Sequence, residues 1–268
     1  MSSIFNYGSG HLTISTVISI ASGKIKGVLS EAVIKQVNDS QKAVQQIVDA
    51  GRTVYGVNTG FGILANTAIS KEDTATLQYK ILQSHSVGVG DPIPVEVAKL
   101  MLITKVHALA QGFSGVQLST LERIIWHIEN NVIPVVPEKG SVGASGDLAP
   151  LAHLFLPLIG LGEVFYNNRQ QPTGNVLRHF SLGPIQLGPK EGLALINGTQ
   201  FILAFAVKAV QRMHNCLEAA DIIGAMSLEA LSGTKAPFDE RLHNLRPFNG
   251  NKLVAQRLRL LVKDSDIM

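Results

Sequence analysis

The chain has 268 residues, of which 46% are hydrophobic and 16% charged, and its formal net charge is +3. Charge this small and this dispersed argues against a nucleic-acid surface, and the single cysteine, Cys216, excludes an internal disulfide or a multi-cysteine zinc site. The longest uncharged apolar run, residues 148–162, is 15 residues with two prolines, short for a membrane span, and residues 1–6 lack the charged and apolar regions of a secretion signal. The expectation is a soluble cytoplasmic protein with no nucleic-acid and no membrane partner.

Residues 5–20 alternate loosely, with Leu12-Thr13-Ile14 and Val17-Ile18 predicting a short strand. Ser30 then opens a helix carrying Val33, Val37, Val44, Ile47 and Val48 at helical spacing, which Gly51 stops. The Gly-rich segment Val54-Tyr55-Gly56-Val57-Asn58-Thr59-Gly60-Phe61-Gly62 contains a formal G-x-G-x-x-A, a weak nucleotide signal without a strand, a helix and a later acid around it. A plain loop is the default reading of such a cluster. Residues 71–86 read as a helix ending in Ser84-His85-Ser86, and a lone histidine is more often a structural hydrogen-bonder than a ligand. Residues 95–111 and 119–130 predict a helix pair, the second opened by the capping-box pattern Ser119-Thr120-Leu121-Glu122. His107, Trp126 and His127 lie on this pair without a metal-binding pattern and read as structural.

Extended residues 131–137 lead into Gly140-Ser141-Val142-Gly143-Ala144-Ser145-Gly146-Asp147, a tight loop delivered onto a helix N-terminus. No lysine follows Gly146, which excludes a phosphate-binding loop, and neither serine stands in G-x-S-x-G. Apolar helix at 154–161 and a small hairpin or turn at 163–171 follow, then Ile196-Asn197-Gly198-Thr199-Gln200, where Asn-Gly alone reads as a turn. Residues 199–231 are proline-free with a helical pattern over 33 positions, about 50 Å at 1.5 Å per residue, too long for a small domain. Arg246-Pro247-Phe248-Asn249-Gly250 joins this helix to another starting near Leu253.

Three of these segments together resemble the aromatic amino acid ammonia-lyases, the family that acts on histidine, phenylalanine and tyrosine: the loop at Ala144-Ser145-Gly146-Asp147, the segment at Tyr55, and Asn197-Gly198-Thr199-Gln200. The resemblance spans the chain essentially end to end. It implies a mainly α fold, with an N-terminal helical domain (residues 1–195) whose few short strands carry the loop. Residues 196–268 would then begin a long-helix bundle of the kind shared with fumarase and aspartase. It also implies that Ala144, Ser145 and Gly146 cyclise autocatalytically into an electrophilic methylidene-imidazolone, with no metal or nucleotide. Tyr55 would be the catalytic base. Asn197 would bind the substrate beside the prosthetic group, with Gly62 also lining the substrate site. His85 would contact the far end of the substrate's ring, implying imidazole or phenol over phenyl, and Gln200 leans towards imidazole. The expected reaction is elimination of ammonia from L-histidine to give trans-urocanate, in a homotetramer with shared active sites. The same-family alternative is a tyrosine or phenylalanine ammonia-lyase or aminomutase. A different class is a fragment with a purely assembly role. The family's later segment, with a second tyrosine and the arginine that holds the substrate carboxylate, is not found before Met268, so an N-terminal portion is expected.

Overall fold

A computed structural model describes residues 3–54, 56–59, 71–142 and 146–268. The fold is mainly α. In chain order it runs β1 (Ser3–Asn6), α1 (Ile14–Ala21), β2 (Ile25–Val28), α2 (Glu31–Asp49), α3 (Lys71–His85), β3 (Val89–Pro92), α4 (Val95–Leu109) and α5 (Leu118–Glu129). Then come β4 (Ile133–Pro134), β5 (Pro137–Lys139), α6 (Leu148–Phe155), β6 (Glu163–Tyr166), β7 (Arg169–Pro172), α7 (Thr173–His179) and α8 (Glu191–Ile196). The chain ends with α9 (Gln200–Ala230), α10 (Glu240–Asn244) and α11 (Asn249–Leu261). It divides into two compact units, Met1–Val207 and Lys208–Met268.

In the first unit the core is built around α4. Val97, Ala98, every residue from Leu100 to Val106, and Leu109 are buried, so this helix is enclosed around most of its circumference. α1 and α5 pack against it, while α3, α6 and α8 pack on one another. Each buried Leu or Ile contributes about 1.5–3 kcal/mol through removal from water. α2 follows its sequence signal: Ser30 Oγ accepts from the Val33 amide, and Val33, Val37, Val44 and Val48 are buried. Strands are few and short. β1 pairs with β2 in parallel, β3 with β5 antiparallel, and β4, β6 and β7 form an antiparallel three-stranded sheet. The β6–β7 hairpin turns through Asn167 and Asn168, both at positive φ (50° and 58°), a conformation that asparagine tolerates.

Two local expectations are corrected. Residues 12–20 are not a strand: Thr13 caps α1 by accepting from the Thr16 amide, and this local cap outweighs the β-branched composition. α5 starts one residue before Ser119, with Gln117 at its N-cap and no side-chain cap bond. The Gln117 amide donates instead to the Glu191 carboxylate at 2.8 Å, so a partner distant in sequence replaces the capping box.

In the second unit, α9 and α11 lie side by side, with Asp221 and Arg257 paired at 3.2 Å and Gly224 facing Leu258. Met213, Leu217, Ile222, Ile223 and Met226 of α9 are exposed. No helix among the described residues is long and apolar enough to cross a membrane.

His127 bears out its structural reading. Its Nδ1–H donates to the Val132 carbonyl at 2.8 Å, and its Nε2 is buried with no partner among the described residues. Burial pushes its pKa down to about 4, with the nearby Arg123 acting in the same direction. A histidine held neutral in the fold and ordinary (about 6.5) when unfolded takes up its proton first in the unfolded chain. The stability it supports is therefore complete above pH 6.5 and lost as pH falls towards 4. Equilibrium unfolding in urea should show a decline of about 3 kcal/mol over this window. His127→Gln, which keeps a donor for Val132 without the titration, should flatten it. An equal slope in the variant would assign the acid sensitivity elsewhere.

Candidate functional site

The described edges of the central loop are Gly140 to Val142 on one side and Gly146 with Asp147 on the other; Ala144 and Ser145 lie outside the described residues. Gly146 has φ +97°, and a Cβ there would run into the Gly198 carbonyl, so no other residue type fits. Its backbone forms a parallel bridge with Gly198, and the Asp147 amide donates to the Gly198 carbonyl at 2.7 Å. The loop is thereby stitched to the turn that carries Asn197, 50 residues on in sequence.

Asp147 stands at the N-cap position of α6, as its sequence position predicts, but its side chain does not cap that helix. Its Oδ2 accepts from the amides of Phe201 (3.0 Å) and Ile202 (3.2 Å), in the first turn of α9. Its Oδ1 accepts from Ser141 Oγ at 2.8 Å. One fully buried carboxylate thus caps a 31-residue helix and pins the near side of the loop.

Asn197 ends α8, its amide donating to the Leu193 carbonyl at 3.0 Å. Its side chain is exposed and makes no hydrogen bond among the described residues, leaving both amide functions for a ligand. Its carbonyl accepts from Lys105 Nζ at 2.7 Å. Lys105 is 2% exposed, and burial lowers its pKa to about 7. Gln200, buried at the start of α9, folds back over Gly198, and its Oε1 has no partner among the described residues.

His85 closes α3, half-buried, with Nδ1–H directed to the Ile81 carbonyl at 3.0 Å and Ser84 Oγ at 3.1 Å. Its Nε2 makes no bond among the described residues and presents a lone pair when the ring is neutral. The strand after it, β3, pairs with β5, which runs directly into the loop. His153 on α6 tightens this junction: its Nε2 accepts from the Gly88 amide at 3.0 Å. Burial lowers the His153 pKa, which keeps that nitrogen unprotonated. A Cβ on Gly140, at φ +149°, would meet the Gly88 Cα, so the His85 strand and the loop touch backbone to backbone.

Tyr55 and Gly62 lie outside the described residues. Their neighbourhood is held by side chains: Asn58 accepts from the Val54 amide (2.9 Å) and donates to the Arg52 carbonyl (2.9 Å), and Thr59 accepts from the Gly56 amide (3.2 Å). Gly56 packs directly onto Leu193 of α8, four residues before Asn197. The structure therefore brings the Gly146–Asp147 edge and Asn197 together and connects the His85 strand to the loop. Sequence reasoning missed Lys105 and His153. A lysine within the mostly apolar run at residues 100–109 was the available signal for the first; the second ends the run at residues 148–153 that resembles the family signature, but the sequence reading gives it no role.

The family model "Aromatic amino acid lyase" matches residues 12–268. A histidine ammonia-lyase of Caldanaerobacter subterraneus subsp. tengcongensis is 43% identical over 258 residues, 96% of this chain and 51% of that protein. The crystal structure of histidine ammonia-lyase from Trypanosoma cruzi superposes with a TM-score of 0.88 at 37% identity, covering 98% of this chain and 51% of that one. The tyrosine aminomutase of Streptomyces globisporus gives a TM-score of 0.91 at 30% identity, covering 100% and 50%. The chain spans about half the length of the curated relatives it matches. With a matched segment this long, and with its loop and its Asn-Gly turn stitched together, the chain belongs to the aromatic amino acid lyase family.

Proposed function

We propose that this chain carries the electrophile-bearing part of a carbon–nitrogen lyase that eliminates ammonia from L-histidine to give trans-urocanate. The single observation that carries this reading is the junction at Gly146 and Asp147, where a side-chain-free residue is stitched to the Asn197–Gly198 turn. That junction fits a methylidene-imidazolone made from Ala144, Ser145 and Gly146. The Gly146 amide nitrogen would attack the Ala144 carbonyl carbon with loss of one water. The Ser145 hydroxyl would leave as a second. When formed, the group supplies an electrophile that turns the substrate's amino nitrogen into a better leaving group.

The chain's own residues supply further parts of the site. Tyr55 takes the weakly acidic β-proton, and Asn197 holds the substrate through its free side-chain amide. His85 offers Nε2 to an N–H at the far edge of an imidazole ring. Positioning counts as much as basicity here, because a poorly acidic C–H is abstracted only by a base already in place. The 43% identity to a histidine ammonia-lyase supports imidazole over phenol. The exposed apolar side chains along α9 support assembly as a homotetramer with active sites shared between subunits. One exposed free thiol, Cys216, suits the reducing cytoplasm.

Three measurements on the intact gene product test this. Its intact mass should be lower than the sequence mass by two waters, with a near-UV absorbance to match. Ser145→Ala should abolish both, and an unmodified mass in folded wild type would remove the electrophile from the reading. Tyr55→Phe should lower kcat about 10²–10⁴-fold with little change in Tm; near-normal turnover would reject Tyr55 as the base. L-Histidine should be converted much faster than L-tyrosine or L-phenylalanine. His85→Phe should shift preference towards phenylalanine by about 10- to 100-fold, the cost of an unpaired polar edge in a buried site. Tyrosine outrunning histidine in wild type would change the substrate and leave the chemistry standing, while no turnover of any would favour an assembly role.

A further inference from the structure

Among the described residues, Lys105 is the only lysine or arginine that is buried. It sits in the C-terminal half of α4, between Thr104 and Val106, both also buried, so its stem is not lying along a surface. No carboxylate pairs with it among the described residues, and its Nζ makes one hydrogen bond, to the Asn197 carbonyl at 2.7 Å. A lysine in a core without a counter-charge lowers stability relative to an apolar side chain of the same length. Its presence therefore calls for a return elsewhere, and the single bond it makes says where.

The Asn197 carbonyl belongs to the peptide that links Asn197 to Gly198. On the far side of that peptide, the Gly198 carbonyl accepts from the Asp147 amide and the Gly198 backbone bridges Gly146. Gly198 has φ +152° and no side chain, so hydrogen bonds and not side-chain packing hold this peptide plane. We propose that Lys105 is a positioning residue for the lyase site: by fixing the Asn197–Gly198 peptide it holds the Asn197 side chain and the Gly146–Asp147 backbone in register. The assignment of Asn197 to the substrate rests on the function proposed above; the tether itself does not. Burial lowers the Lys105 pKa to about 7, and amine and ammonium alike retain an N–H for the carbonyl.

The test is Lys105→Met in the intact gene product, which keeps the apolar stem and removes the donor. Hydrogen exchange at the Asp147 amide, read by NMR or fragmentation mass spectrometry, should accelerate about tenfold or more, while amides in α2 and α5 keep their wild-type protection. With histidine as substrate, kcat should fall about tenfold or more with KM within about threefold. Tm should hold or rise. Lys105→Gln, which restores an N–H donor without a charge, should recover part of both losses. Wild-type exchange at Asp147 in Lys105→Met overturns the proposal, whatever happens to turnover. Faster exchange throughout the chain with a lower Tm also overturns it, since Lys105 would then support the fold in general, as does failure of both variants to fold. Amide exchange needs no substrate. A wild type that turns over none of the three amino acids would therefore sink the histidine reading while the Asp147 amide still reports on the tether.

Discussion

Everything near the candidate site depends on where the Asp147 carboxylate is satisfied. It is fully buried, and no cation pairs with it among the described residues. Two amides from the first turn of α9 and the Ser141 hydroxyl hold it instead. Charge-assisted bonds of this kind are about twice as strong as neutral ones. The N-terminus of a long helix adds a favourable field for the negative charge. A single side chain thus solves two problems. It covers donors that would otherwise be orphaned at the start of α9, and it fixes the residue that follows the loop.

The same strategy recurs at Glu191. That carboxylate is also buried, and it accepts from the Gln117 amide (2.8 Å), the Gln117 side chain (2.7 Å) and the Gly188 amide (2.6 Å). It sets the start of α8, the helix that ends in Asn197, and ties it to the start of α5. Gln78 of α3 adds a third attachment, accepting from the Gly192 amide at 2.8 Å. α8 has only six residues and would be marginal alone. These polar attachments, with Leu195 and Ile196 in the core, give it a defined position.

How much of this was legible in the sequence follows from the range over which each signal acts. α2 announced itself through a periodic apolar face and a local cap, and α4 and α9 through long proline-free runs rich in apolar residues. The segment at 163–171 was legible as a hairpin or turn, and the structure makes it the β6–β7 hairpin. The short strand expected within residues 5–20, on Leu12-Thr13-Ile14 and Val17-Ile18, failed because the cap at Thr13 decided the segment, and composition was the wrong guide. The capping box at Ser119 failed because Glu191, 72 positions on, supplied the competing partner. In the site, the motifs around Asn197, His85 and Gly146 were readable as motifs. What joins them was not. The Asp147 link to α9, the His153 link to Gly88 and the Lys105 link to Asn197 are pairings across 54, 65 and 92 positions. No window of sequence contains both ends of any of them.

The chemistry of these links bears on how such a site can change over generations. The acceptors and donors at the loop's edges are mostly main-chain atoms: the carbonyls of Gly198 and Asn197 and the amides of Asp147, Gly88, Phe201 and Ile202. Main-chain atoms survive every substitution that leaves the local φ and ψ allowed. Side chains that take no part in these links, such as that of Asn197, can be exchanged without unpicking the scaffold that carries them. A fold wired in this way separates the backbone that holds the loop's edges from the side chains around it, leaving those side chains free to drift while the scaffold stays put.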